Sequence, residues 1–211
     1  VIAKQSLSDF MSGITASNGR YQSGWANVVG VDRNELEAAG YKPLMGSLNL
    51  SRTSSAVPVL VGQYSAYSFR DTARPEGEDM VDRYSMDESG NFTAENAPDP
   101  WFDPMNTELT LSLSNPMDPE GDPYEVQLRP VGMLEENYSL GYETSEGIIM
   151  DQKALQEIME EASRRFGMTS PSKTYSESDV KTADMEEVPD VEASLKTAGY
   201  MTNSYKSLRE S

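Results

Sequence analysis

The 211-residue chain has no cysteine and no histidine. Together these absences exclude disulfides, Cys-His and Ser-His-Asp catalysis, zinc centres built on those ligands, and haem held through His or Cys. Lack of cysteine fits either redox compartment, because it forbids disulfides without requiring a reducing environment. Basic residues are scarce: 17 Lys and Arg stand against 35 Asp and Glu, for a net charge of −18. Such a surface repels the phosphates of nucleic acid and of anionic lipids, so no nucleic-acid partner is expected. Long apolar runs are also missing. The longest, "VPVLVG" at 57–62, falls far short of the ~20 residues that span a bilayer. No Gly-x-x-x-x-Gly-Lys phosphate loop occurs, so any nucleotide hydrolysis is expected on another chain, and neither catalysis nor a cofactor is expected here.

What is present describes a folded chain. Apolar residues make up 37%, with eleven Tyr and five Phe, and the length suits one large domain or two small ones. No signal peptide is visible and the chain opens on Val1, which reads as a piece of something longer. Near the start, a clipped strand, a short helix over 8–11 and a strand from Ile14 are expected. "WANVVGV" reads as a strand, and Asp32 with Glu35 as a capping box opening a helix that stops at Gly40. The run 57–61 reads as a buried strand, followed by a short piece with Tyr64 and Tyr67 one turn apart. "ELTLSL" and "PYEVQLRPVGML" alternate with period two around a turn, which predicts a hairpin. The clearest helix begins at Asp151, buries Leu155, Ile158, Met159, Ala162 and Phe166, pairs Glu160 with Arg164 and Glu161 with Arg165, and stops at Gly167. A polar strand is expected within 174–182. Then Val188, Val191, Leu195 and Ala198 line one face of a helix that should lie on a sheet, with Pro189 at its start and Gly199 closing it. A last strand is expected at 201–205.

Residues 70–106 interrupt this pattern. They are acidic, carry Pro75, Pro98, Pro100 and Pro104, and read as a long excursion with a hairpin turned at "DESGN". As a surface loop, its removal is expected to spare the fold. Within it, Trp101 and Phe102 have two readings: a plug fixing the excursion to the sheet, or a contact for a ligand or partner. On the second reading Glu95, Asp99 and Asp103 would suit a cationic ligand. Two further motifs are weak. Ser170-Pro171-Ser172-Lys173 has Ser-x-x-Lys spacing, but Pro171 spoils the helical turn that chemistry needs. Asp118, Glu120 and Asp122 alternate as calcium ligands can, yet the glycine precedes the third acid and no distal Glu follows, so a solvated turn is the simpler reading.

Taken in order, "NVVGVDRNELEAAGYKPLMGSLNL", "VPVLVG", "YEVQLRPVGML", "GIIMDQKALQEI" and "VEASLKTAGYMTNSYKSL" resemble the extracytoplasmic, MacB-like periplasmic core domain of MacB/FtsX-type ABC transporter permeases. Each motif alone is nonspecific, and their order carries the resemblance, which covers most of 25–211 except the acidic excursion. It implies an α+β fold, with a porter-like subdomain from 1–50 and 170–211 and a β-rich subdomain, 51–169, inserted between them. It also implies a noncatalytic domain on the extracytoplasmic face of a bacterial cell membrane, tethered by flanking transmembrane helices. Such a domain would work with a separate ATP-binding subunit or domain, a second permease copy and a cargo or partner. It would transmit ATP-driven movement for efflux or related tasks. Both chain ends should then leave one side of the domain. The rival reading is a free-standing secreted or cell-surface module that binds carbohydrate or peptide through Trp101 and its neighbouring acids.

Overall fold

The computed structural model describes residues 2–7, 10–86, 92–94, 97–169, 177–180 and 184–202. The first half contains β1 (Ile2–Ser6), β2 (Met11–Ala16), β3 (Tyr21–Ser23), β4 (Val28–Val31), α1 (Leu36–Ala39), β5 (Pro43–Gly46), β6 (Val57–Val61) and β7 (Arg70–Asp71). Then follow β8 (Ser85–Met86), β9 (Phe92–Thr93), β10 (Leu109–Ser114) and β11 (Tyr124–Leu134). The chain continues with α2 (Glu143–Glu146), β12 (Ile148–Asp151), α3 (Gln152–Phe166), β13 (Glu177–Asp179) and α4 (Val188–Thr197). The class is α+β, built on one large mixed sheet.

That sheet has eleven strands in the order β13-β1-β4-β12-β6-β11-β10-β2-β3-β7, with β5 paired to β11 beside the main path. Among the described strands only β4 with β12 and β6 with β11 run parallel. The sheet therefore draws strands from 1–50, from 51–169 and from the C-terminal region. β8 and β9 form a separate antiparallel pair flanking "DESGN".

Burial explains why β6 is a continuous apolar run. A strand buried at every position belongs where both faces of its sheet are covered, and all five residues of β6 are buried. Val57, Val59 and Val61 point to one face, with Ile148, Met150, Leu111 and Leu128, where α3 lays down Leu155, Ile158, Met159 and Ala162. Leu60 points to the other, with Val29, Val31 and Ile149 beneath Leu36, Tyr41, Leu50 and Leu134. The period-two alternation of strands thus sorts one sequence into two cores. α3 lies so close to β4 that a Cβ on Gly30 would sit 2.8 Å from Leu155 Cδ2.

Several local expectations hold and several are corrected. β10 and β11 pair as the predicted hairpin. α3 spans the expected residues and ends on Gly167 at φ 65°, although Asp151 at its N-cap makes no capping hydrogen bond. On its outer side Glu161 holds both Arg164, at 2.6 Å, and Arg165, at 2.7 Å, while Glu160 accepts instead from Gln156. No helix covers 10–11: Phe10 is buried, its N–H donates to the Leu7 carbonyl, and Met11 already belongs to β2. Ser8 and Asp9 lie outside the described residues. The capping box does not form either. Asp32 accepts from the Asn34 N–H at 2.9 Å, and the helix starts only at Leu36.

The C-terminal helix needs the largest correction. α4 forms, and Gly199 closes it at φ 89° with the Tyr200 N–H on the Leu195 carbonyl. None of its residues is buried, however, and Met201 is fully exposed. Over β1 and β4, α3 covers one side and the α1 region covers the other. Met201 and Thr202 are not in a strand, and 203–205 lie outside the described residues. No helix among the described residues is long and apolar enough to cross a membrane.

Candidate functional site

The acidic excursion is fastened at both ends. At its start, β7 pairs with β3 and places Asp71, 1% exposed, against Arg20. The Arg20 guanidinium donates twice, Nε to Oδ1 at 3.1 Å and Nη2 to Oδ2 at 2.9 Å. The Ala73 N–H adds a third donor, and Arg74 stands at 3.5 Å. The Arg20 hydrogen bonds dominate, and they hold the Asp71 carboxyl down at about 2 even though burial opposes them. A depressed carboxylate stabilises the fold fully above its unfolded value and loses that contribution as pH falls through the folded one. The stability gap between the wild type and Asp71→Asn should therefore stay constant above about pH 4 and shrink towards about pH 2. Urea midpoints measured across that range check it, and a gap independent of pH would count against the Arg20 pair.

At the far end, Trp101 donates Nε1 to the Asp79 carbonyl at 2.9 Å, with the Arg74 guanidinium 4.2 Å above its ring. Phe102 stacks on Tyr21, at 5.1 Å between centroids, meets Phe69 edge-on at 5.0 Å, and packs against the larger core. Asp103 caps the turn Pro104–Asn106 by accepting from the Met105 N–H. Asp99 is exposed, and Glu95 lies outside the described residues. Of the five candidate contacts, the structure brings Trp101, Phe102 and Asp103 together, each with an internal partner.

Deleting all of 70–106 would remove Asp71, Phe102 and buried Pro104, so these anchors belong to the fold rather than to a dispensable loop. Phe102→Ala is expected to cost about 2 kcal/mol, less than a fully buried Phe because the ring is half-buried. Asp99→Ala should stay within about 0.5 kcal/mol. Urea unfolding of both variants measures the difference.

Beside these anchors, Arg70, Thr72, Arg74, Glu76 and Asp79 line an open cleft of about 520 Å³. A second, tiny cavity of about 10 Å³ lies where Trp25 and Glu146 approach Phe69 and Phe102. It has room for a single water molecule. Ser65 lines it, and its buried hydroxyl has no hydrogen-bond partner.

A third feature escaped the sequence reading. Lys4 and Glu143, both buried, form an ion pair at 3.1 Å. Lys4 Nζ also donates to the Leu140 carbonyl, and the buried Tyr41 hydroxyl donates to Glu143 Oε1 at 3.3 Å. The pair ties the segment around α2 to β1. Tight backbone packing supports it: a Cβ on Gly147 would lie 2.5 Å from Glu143 Cα, and one on Gly62 would lie 2.5 Å from the Ser145 carbonyl oxygen. The one signal in the sequence is a lysine inside an otherwise apolar opening, "VIAK".

Among the described residues no three acidic side chains gather into a group that could hold a metal ion. The run Asp118, Glu120, Asp122 sits in the turn between β10 and β11, where Asn115 bridges Asp118. Residues 170–173, with the Ser-x-x-Lys spacing, lie outside the described residues. No protein-family model matches the chain, and no curated protein matches it in sequence.

Proposed function

We propose that this chain is a noncatalytic extracytoplasmic domain of an ABC transporter permease. In that role it engages cargo or a partner protein and passes movement driven by a separate ATP-binding subunit through the domain. One observation carries the reading beyond the resemblance of ordered motifs. β1 and β13 are antiparallel neighbours at one edge of the sheet, and Ile2 stands opposite Asp179. The chain therefore enters this edge beside the end of β13, before it continues into α4, which is compatible with a domain inserted between two membrane segments. A tether before β1 would pull on this edge directly, and one after Ser211 would reach it through α4.

The test is the reading frame on either side of this segment. The proposal expects an apolar stretch of ~20 residues upstream and another downstream. It also expects this domain to be cleaved when protease is added outside intact cells. A cleavable leader upstream followed by a stop codon soon after Ser211 would overturn it in favour of a secreted binding module.

A further inference from the structure

The open cleft of about 520 Å³ beside the excursion's anchors holds opposite charges that do not pair. Arg70 and Arg74 line it together with Glu76 and Asp79, yet among the described residues neither arginine forms an ion pair with either acid. The Arg70 and Glu76 side chains enter no hydrogen bond or ion pair there at all. A cleft of this volume lies in the range that takes a small organic molecule, well beyond a single ion.

The frame around these charges is fixed. The Asp71 N–H donates to the Asp79 carbonyl at 2.8 Å and the Trp101 indole donates to the same oxygen at 2.9 Å, so the loop 71–79 closes on itself and is pinned where it closes. Compact loops whose ends meet are frequently functional. Arg74 is oriented by Asp71 at 3.5 Å and by the Trp101 ring 4.2 Å from its guanidinium, and among the described residues its side chain donates no hydrogen bond. Its donors are placed but unspent. Asp79 Oδ1 accepts the Gly77 N–H at 3.2 Å, and Thr72 Oγ1 is turned to the Arg20 carbonyl at 2.8 Å. Groups oriented in advance lose little freedom when a ligand arrives.

Charge decides which ligand fits. A bare anion is repelled by the net charge of −18 and by Glu76 and Asp79, whereas a bare cation meets Arg70 and Arg74. A molecule carrying both charges pairs each with its complement and has no net charge for the surface to repel. A carboxylate matches the guanidinium fork, and an ammonium brings three donors to carboxylate oxygens. We propose that the cleft lined by Arg70, Thr72, Arg74, Glu76 and Asp79 is a binding site for a short peptide with free termini, its carboxylate held by Arg70 and Arg74 and its ammonium by Glu76 and Asp79. The site does not rest on the transporter reading, and its failure would leave that reading standing.

The test is calorimetric titration at fixed ionic strength with trialanine, with N-acetyl-trialanine, which lacks the ammonium, and with trialanine amide, which lacks the carboxylate. Trialanine should saturate the site with a dissociation constant of ~1 mM or tighter. Either blocked form should bind at least about tenfold more weakly, the scale of one charge-assisted hydrogen bond. Arg70→Gln and Glu76→Gln should each weaken trialanine by a similar factor. Both side chains are exposed, so the variants should keep the wild-type circular dichroism. In a Trp25→Phe background Trp101 emission should change on saturation, because Arg74 lies on its ring. The site would be overturned by trialanine failing to saturate, by either blocked form binding as tightly as trialanine, or by full affinity in either variant. Unchanged Trp101 emission at saturation would place the ligand elsewhere and overturn it equally.

Discussion

Replacing Glu143 by alanine is expected to lower the unfolding free energy by about 3–5 kcal/mol, the usual effect of removing one partner from a buried ion pair. The carboxylate serves both Lys4 and Tyr41, so its loss removes a close counter-charge from the Lys4 ammonium and an acceptor from the Tyr41 hydroxyl while both stay buried. A typical domain holds only about 5–15 kcal/mol in reserve, so the variant should unfold at a much lower urea concentration. Removing both charges together, as Lys4→Met with Glu143→Leu, should recover most of the loss, because two apolar side chains have no desolvation to offset. A single variant within about 1 kcal/mol of wild type would show that the pair is solvated rather than buried.

The second large effect uses the absence of cysteine as a tool. Ala3 faces Ser178 in the β1–β13 register. A chain carrying Ala3→Cys and Ser178→Cys has those two thiols and no others. Oxidised, it should close nearly the whole domain into one loop and gain up to about 5 kcal/mol, less whatever strain the bridge introduces. Mass spectrometry reports the bond, and thermal unfolding with and without reductant reports the gain. Failure of the thiols to join in the folded protein would remove the edge pairing on which the transporter reading leans.

How much of this was legible in the sequence depends on how far apart the determining residues lie. α3 was readable because Leu155, Ile158, Met159 and Ala162 repeat at helical spacing and Gly167 ends the run, all within one short window. The β10–β11 hairpin was readable for the same reason at period two. α4 shows where local pattern stops. Its apolar stripe told of a helix with two unlike faces but not whether any surface would receive it, and none of its residues is buried. The Lys4–Glu143 pair and the Tyr21–Phe102 stack join residues far apart in sequence, and no local spacing announces either. Of the candidate contacts, Trp101 and Phe102 were found because aromatic residues in a polar, proline-bounded loop stand out. Their internal partners became visible only once Asp79, Arg74 and Phe69 were placed around them.

The pairing of β13 with β1 also dictates an order of events during synthesis. Of the described strands β1 leaves the ribosome first, and β13, which completes its outer edge, leaves last. At about 5–20 residues per second, roughly 10–35 seconds pass between the two. Throughout that interval the free edge of β1 can pair with any other extended chain, which is the ordinary route to edge-to-edge aggregation. A nascent chain stalled before β13 should therefore need a chaperone, whereas one stalled after it should not.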